Sequence, residues 1–360
     1  MRPVFPAILC MTLAAATTQA ADWYVRAAPQ TVVIGNYSAA TPSVLTVKSG
    51  DSVQIETVSG STKLFHDLGL KDAEIPPALA AIERDVKDRG PGGHILTGPV
   101  FIDGAEPGDT LEVHIDRITL PVPWAYNAFR MTAGFLPEDF PHSASKLIRL
   151  DLKRNVALFG PGIELPLRPF FGSMGVAPPA TAGKLNSAPP WLHAGNLDNK
   201  ELVEGTTLYI PVHVKGALFQ VGDGHAGQGN GEVDITAMET PLNGIFRFIV
   251  RKDLHLKWPR AETPTHYITM GMEEELVVAA KQAVREMIDF LVTEKGLSRD
   301  DAYMLSSVAA DFSITQLVDG KKGVHGMIAK SIFVKPPVVP AVVPPVVPPV
   351  VPPAVVPRPK

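Results

Sequence analysis

A single cysteine, Cys10, occurs in the 360 residues, and it falls in a stretch that reads as a removable leader. The mature chain would then hold no disulfide, no thiolate nucleophile and no thiolate metal ligand. Any metal must sit on His, Asp, Glu, carbonyl oxygen or water. Basic runs are missing too. With 33 Lys and Arg against 37 Asp and Glu the formal charge is -4, and no Lys/Arg stripe suits a phosphate backbone. Nucleic acid is excluded as a partner. The apolar run Pro6 to Ala16 is too short to cross a bilayer, so no membrane association is expected once it is removed. Neither a P-loop nor a dinucleotide fingerprint occurs, because the glycines from Gly224 to Gly231 precede no helix. Gly172-Ser173-Met174-Gly175 lacks the spacing of a nucleophile elbow and reads as a bend with backbone donors facing outward.

What is present points to a globular, exported protein. Hydrophobic residues make up 45% and charged residues 19%. Arg2, the apolar run and Thr18-Gln19-Ala20 have the order of a signal peptide over residues 1–20. Beyond Lys335 the sequence reduces to Pro and Val, closing Arg358-Pro359-Lys360. Proline removes ladder donors every few residues, so 336–360 is expected to be an extended, disordered tail. Between the two lies one unit, 21–335.

Its first part, 21–120, alternates in the manner of half-buried strands: Thr31 to Ile34, Val44 to Val47, Ser52 to Thr57 and Thr110 to Ile118. Lys48-Ser49-Gly50-Asp51 and Glu106-Pro107-Gly108-Asp109 punctuate them as two turns of one format, each ending Gly-Asp. A mixed part, 121–270, includes strands over Thr206 to Leu218, Gly231 to Glu239 and Gly244 to Leu254. Asp72 to Arg89 carries a short helical stripe. A helical part, 271–335, has an apolar stripe from Glu273 to Thr293, then Ser298 as an N-cap with Asp300 and Asp301 in the first turn. The fold class is mainly β, with jelly-roll, sandwich and barrel-like parts, α/β additions and C-terminal helices.

Chemistry concentrates between Gly195 and Glu239. The small residues of Gly222 to Gly231 let the backbone approach a ligand, and one glycine separates Asp223 from His225. Asp198, Glu232 and Glu239 add carboxylates. Imidazole with carboxylates suits a catalytic Zn²⁺, and the many oxygen donors make Ca²⁺ a competitor. A tight turn whose Asp bonds its own backbone has the same composition. His66-Asp67 is an acid/base pair or a surface hydrogen bond.

Gly98-Pro99-Val100-Phe101-Ile102-Asp103-Gly104-Ala105-Glu106-Pro107-Gly108-Asp109-Thr110-Leu111 resembles the GP-[VI]-x-[IV]-x-GAxPGDxL stretch of the acetamidase/formamidase family. Gly172 to Pro178, Asn196-Leu197-Asp198, Leu208 to Phe219, Gly222 to Glu239 and Ser298 to Thr315 resemble further blocks of that family, in order. The resemblance implies a homo-oligomeric hydrolase that uses a divalent metal to cut the C–N bond of a small linear amide. Some relatives act on lactams. It implies Asp198, Asp223, His225 and Glu239 as metal ligands, with Glu232 as a further ligand or acid/base and Glu106 as an acid/base. Val33-Ile34 departs from a His-Trp pair found in many relatives, which keeps open an exported metal- or ligand-binding β-sandwich without turnover.

Overall fold

Apolar residues at every second position need a second layer to cover them, and here two sheets cover one another. The computed structural model describes residues 20–334. The expected leader, apart from Ala20, and the Pro/Val segment lie outside the described residues. The larger sheet has nine strands, with Thr110–Thr119 in its interior between Asn243–Arg251 and Thr207–Pro211. The smaller, six-stranded sheet runs Ala194–Asn196, Phe170–Gly175, Phe219–His225, Ile95–Asp103 and Val32–Ile34, with Leu45–Lys48 also paired to Ile95–Asp103. Val113, Ile115, Phe246 and Phe248 of the first sheet meet Val100, Phe171, Met174 and Phe219 of the second in one core. Phe219 stands 5.0 Å from Phe248 and Phe171 stands 5.3 Å from Phe246 between ring centroids. The mainly β class holds, with jelly-roll-like sheets and a few helices.

Both Gly-Asp turns close alike. Asp51 and Asp109 each accept a backbone N–H from the residue three positions earlier, at 3.0 and 2.8 Å. Gly50 and Gly108 take the positive φ of 103° and 96° that such turns require.

Three segments differ from the sequence reading. Phe219–His225 is a buried central strand where a glycine loop was expected. Its glycines serve close strand packing: a Cβ on Gly222 would lie 2.3 Å from Ile95 O, and one on Gly224 would lie 2.4 Å from Thr240 O. Phe170–Gly175 is likewise a fully buried strand and not an outward bend. Gly231 to Glu239, expected as a strand, is irregular, its pairing limited to isolated bridges such as Tyr126–Glu239.

The C-terminal part mixes helix with strand. Leu276–Lys295 ends on Gly296 at φ 69°, and Arg299–Ala309 is capped by Ser298, whose hydroxyl accepts from Asp301 N at 3.1 Å. Ala310–Gln316 and Lys322–Ala329 then extend the nine-stranded sheet. The long helix lies on strand His266–Glu273 so closely that a Cβ on Gly271 would stand 2.0 Å from Ala279 O. Gly271→Ala must therefore push helix from sheet. A destabilisation of about 1–3 kcal/mol is expected by urea unfolding, and an unchanged midpoint would refute this packing.

Candidate active site

Strict alternation would bury Asp223 and His225 in the sandwich core, because Phe219 and Val221 already face it. The strand avoids this by a break in phase. Val221 pairs with Met174 and Gly224 with Phe171, and all four positions face the core although they are three apart along each strand. The odd residue is absorbed at Asp223, whose φ is 56°, opposite Gly172. Asp223 and His225 thereby turn away from the core. Two neighbours in the site are also left-handed, Asp198 at φ 47° and Glu232 at φ 44°. Non-glycine residues hold such values at a cost of about 1–3 kcal/mol each, and they collect at functional sites.

These residues converge. Single ligand atoms of Asp198, Asp223 and His225, of His225, Glu232 and Glu239, and of Asp198, Glu232 and Asp319 lie within 4.8 Å of one another in each set. His225 Nε2 is 3.3 Å from Asp223 Oδ2 and 3.2 Å from Glu239 Oε1. At its other nitrogen, Nδ1 lies 3.0 Å from Gln228 Oε1, while Gln228 Nε2 donates to Asp198 O at 2.8 Å. An amide oxygen only accepts, so Nδ1 carries a hydrogen, and Nε2 is the nitrogen that faces the carboxylates. Asn196 Nδ2 donates to Asp198 Oδ2 at 2.6 Å and to Asp319 Oδ2 at 3.2 Å, and itself accepts from Ser173 at 2.5 Å. Ala237 N donates to Glu239 Oε1 at 3.0 Å. Room for the group comes from Gly172: a Cβ there would lie 2.4 Å from both Asp198 Oδ1 and Asp223 Oδ2. The cluster opens on a cavity of about 710 Å³ whose wall includes Asp223, Glu232, Glu239, Asp319 and His94.

The electrostatics are strained in one direction. Burial, together with Glu232, raises the Asp198 carboxyl well above the ordinary range. Burial likewise raises Glu232, Glu239 and Asp319. At Asp223 burial opposes, but His94 and His225 outweigh it and lower the group. Burial lowers the His225 imidazole, yet Glu239 and Asp223 beside it lift it well above the usual value. His225 Nε2, Asp198 Oδ1 and Glu232 Oε2 are buried without a hydrogen-bond partner. Buried polar atoms left without partners inside such a cluster fit a divalent cation, and the oxygen-rich donor set with one imidazole suits Zn²⁺ or Ca²⁺.

Of the residues singled out from sequence, Asp198, Asp223, His225, Glu232 and Glu239 are brought together. Glu106 is not. It is exposed in the second Gly-Asp turn, 3.7 Å from Lys215, near Gly216, whose N–H bonds Ala105 O. It is absent from the lining of the cavity onto which the cluster opens. His66 is also remote, bonded on the surface to Asp72 at 2.8 Å. Asp319, His94 and Gln228 were not legible. Asp319 sits in an ordinary-looking Val-Asp-Gly turn, and His94 follows a glycine run that carries no ligand spacing.

The fold and site define a β-sandwich protein with a buried carboxylate–imidazole centre opening on a cavity. Residues 26–186 and 180–334 match the sequence model of the acetamidase/formamidase family, and the chain belongs to that family. A formamidase of Methylophilus methylotrophus is 27% identical over 245 residues, covering 53% of this chain and 57% of that protein. An acetamidase of Mycolicibacterium smegmatis is 26% identical over 258 residues, covering 54% and 59%. The chain thus spans under two thirds of the length of these curated relatives. The crystal structure of an acetamidase from Bacillus halodurans superposes with a TM-score of 0.73 at 30% identity, covering 86% of this chain and 98% of that one.

Two outcomes follow from the geometry. Gly172→Ala should weaken divalent-cation binding at least tenfold by calorimetry, since its methyl group takes the space between two carboxylates; unchanged affinity would place the ion elsewhere. The second concerns pH. Carboxyls raised by folding bind more protons in the folded chain, so their contribution to stability is lost as pH rises above about 4. The raised His225 acts in the same direction. Lowered Asp223 has completed its opposite effect by about pH 5. His193, lowered by burial to about 3, and His325, lowered by burial to about 4, gain stability with rising pH whether or not a cation is present. The Tm gap between zinc-loaded and chelator-treated protein should therefore widen from about pH 5 to 8. A gap that stays constant would mean that this cluster does not bind the ion.

Proposed function

We propose that the protein hydrolyses the C–N bond of a small linear amide to a carboxylic acid and ammonia, assisted by a divalent cation, Zn²⁺ before Ca²⁺. The observation that carries this reading is the convergence of Asp198, Asp223 and His225 beside the cavity, with Asp198 Oδ1 and His225 Nε2 buried and without a hydrogen-bond partner. Membership of the acetamidase/formamidase family supports the reaction class.

Asp198, Asp223, His225 and Glu239 would hold the cation, with Asp319 beside Asp198. When bound, the cation supplies Lewis acidity toward the amide carbonyl and toward water. The chain's own groups do the rest. Gln228 fixes the His225 ring and the Asp198 backbone in one bond pair. Asn196 holds the Asp198 and Asp319 carboxylates apart from solvent. Glu232 replaces Glu106 as the sole acid/base among the residues first singled out. Burial favours the protonated carboxyl at Glu232, so it stores a proton and delivers it to the departing nitrogen. Export of the chain and self-assembly belong to the same proposal. Exposed Tyr303, Met304 and Val308 on helix Arg299–Ala309 offer an apolar surface for assembly.

The test is ammonia release from formamide and acetamide. Chelation and His225→Ala should each abolish it, and zinc should restore only the chelated wild type. Glu232→Gln should keep the cation and lower kcat about 10²- to 10⁴-fold. Full turnover in metal-free protein would reject the mechanism. Cation binding without turnover of any linear or cyclic amide would favour the binding-only reading.

A further inference from the structure

Formamide or acetamide would fill a small corner of the cavity, whose 710 Å³ lies within the roughly 300–1,000 Å³ typical of sites for larger ligands. Its lining is divided by charge. One end holds the buried carboxylates, and Arg130 is the single arginine or lysine among the lining residues. Tyr126, Ala128 and Arg130, two residues apart, all line the cavity, as one face of the strand Trp124–Phe129 and its continuation would. Tyr126 is tied by paired backbone bonds of 2.9 and 2.7 Å to Glu239. Arg130 lies four residues further, about 13 Å of strand from that anchor. Its guanidinium makes no ion pair or hydrogen bond among the described residues, and it is exposed at the mouth. Ala128, midway along the chain between Tyr126 and Arg130, gives the wall apolar surface together with Leu64 and Ile235.

Resting on the amidase reading above, we propose that the substrate is the monoamide of a short dicarboxylic acid: neutral amide at the buried cluster, methylene chain along the apolar wall, carboxylate on Arg130. The charges fix the orientation. A carboxylate is repelled by the acid end and attracted by the guanidinium, whose fork matches it in two parallel bonds. An uncharged amide gains nothing at the mouth. A spacer of about two to four carbons suits the span left between the strand anchor and the arginine head.

The test compares glutaramate with valeramide, of similar length and without the terminal charge, on the zinc-loaded full chain. Glutaramate should be preferred in kcat/KM by about ten- to hundredfold. Arg130→Met should collapse that ratio, and Arg130→Lys should keep part of it. Binding of valerate, a monoanion of the same length, by calorimetry gives a second measure independent of turnover, and Arg130→Met should weaken it about tenfold or more. Equal kcat/KM for the two amides in the wild type, or an equal fall for both in Arg130→Met, would overturn the proposal. Valerate binding that Arg130→Met leaves intact would overturn it too. Arg130-dependent valerate binding without ammonia from any amide would uphold the anion site and fail the amidase reading instead.

Discussion

Five buried carboxylates gather around the His225 imidazole, and the other basic groups lining the cavity are His94, 4.0 Å from Asp223, and the exposed Arg130. Taking isolated anions out of water costs far more than any hydrogen bond returns, so protons or a cation must join them. Raised values at Asp198, Glu232, Glu239 and Asp319 are the protonated answer to that problem. The proposed cation is the other. Their competition for the same oxygens couples the chemistry of the site to acidity, and makes stability and occupancy one equilibrium. Most local peculiarities of the chain serve to bring these groups together.

The backbone bears the strain of doing so. A regular strand would send Asp223 and His225 into the apolar core; a single left-handed residue opposite a glycine sends them out. The core packing holds across the break, with Phe219 and Phe171 still packed against Phe246. Left-handed Asp198 and Glu232 repeat the device in the loops. Each conformation is unfavourable alone and persists because packing on either side leaves no alternative. The site is thus rigid before any ligand arrives, as positioning of a small amide requires.

Much of the fold was legible in sequence because its signals are local. The two Gly-Asp turns, the alternating strand Thr110–Thr119 and the Ser298 cap each declare themselves within a few residues. Five of the six residues singled out come together, and all five fall between Gly195 and Glu239 of the sequence. Glu106 stands apart, because a well-defined motif marks a structural turn as readily as a site. The strand Phe219–His225 was hidden because glycine normally signals a loop, whereas here it permits close strand packing. Asp319 and His94 were hidden for a different reason. Asp319 lies 80 residues beyond Glu239 and His94 lies 104 residues before Asp198, and no local pattern records such a meeting.

That spread along the chain matters for biosynthesis. Asp319 comes from the turn between the last two strands, and Gln228, which orients His225, lies within 3.5 Å of Thr315 O on the first of them. A nascent polypeptide carries every other donor long before this hairpin leaves the ribosome. Until then an ion would meet a partial set of donors, so loading of the proposed cation would wait for the closing hairpin, which would act as a checkpoint on whether the finished molecule is armed.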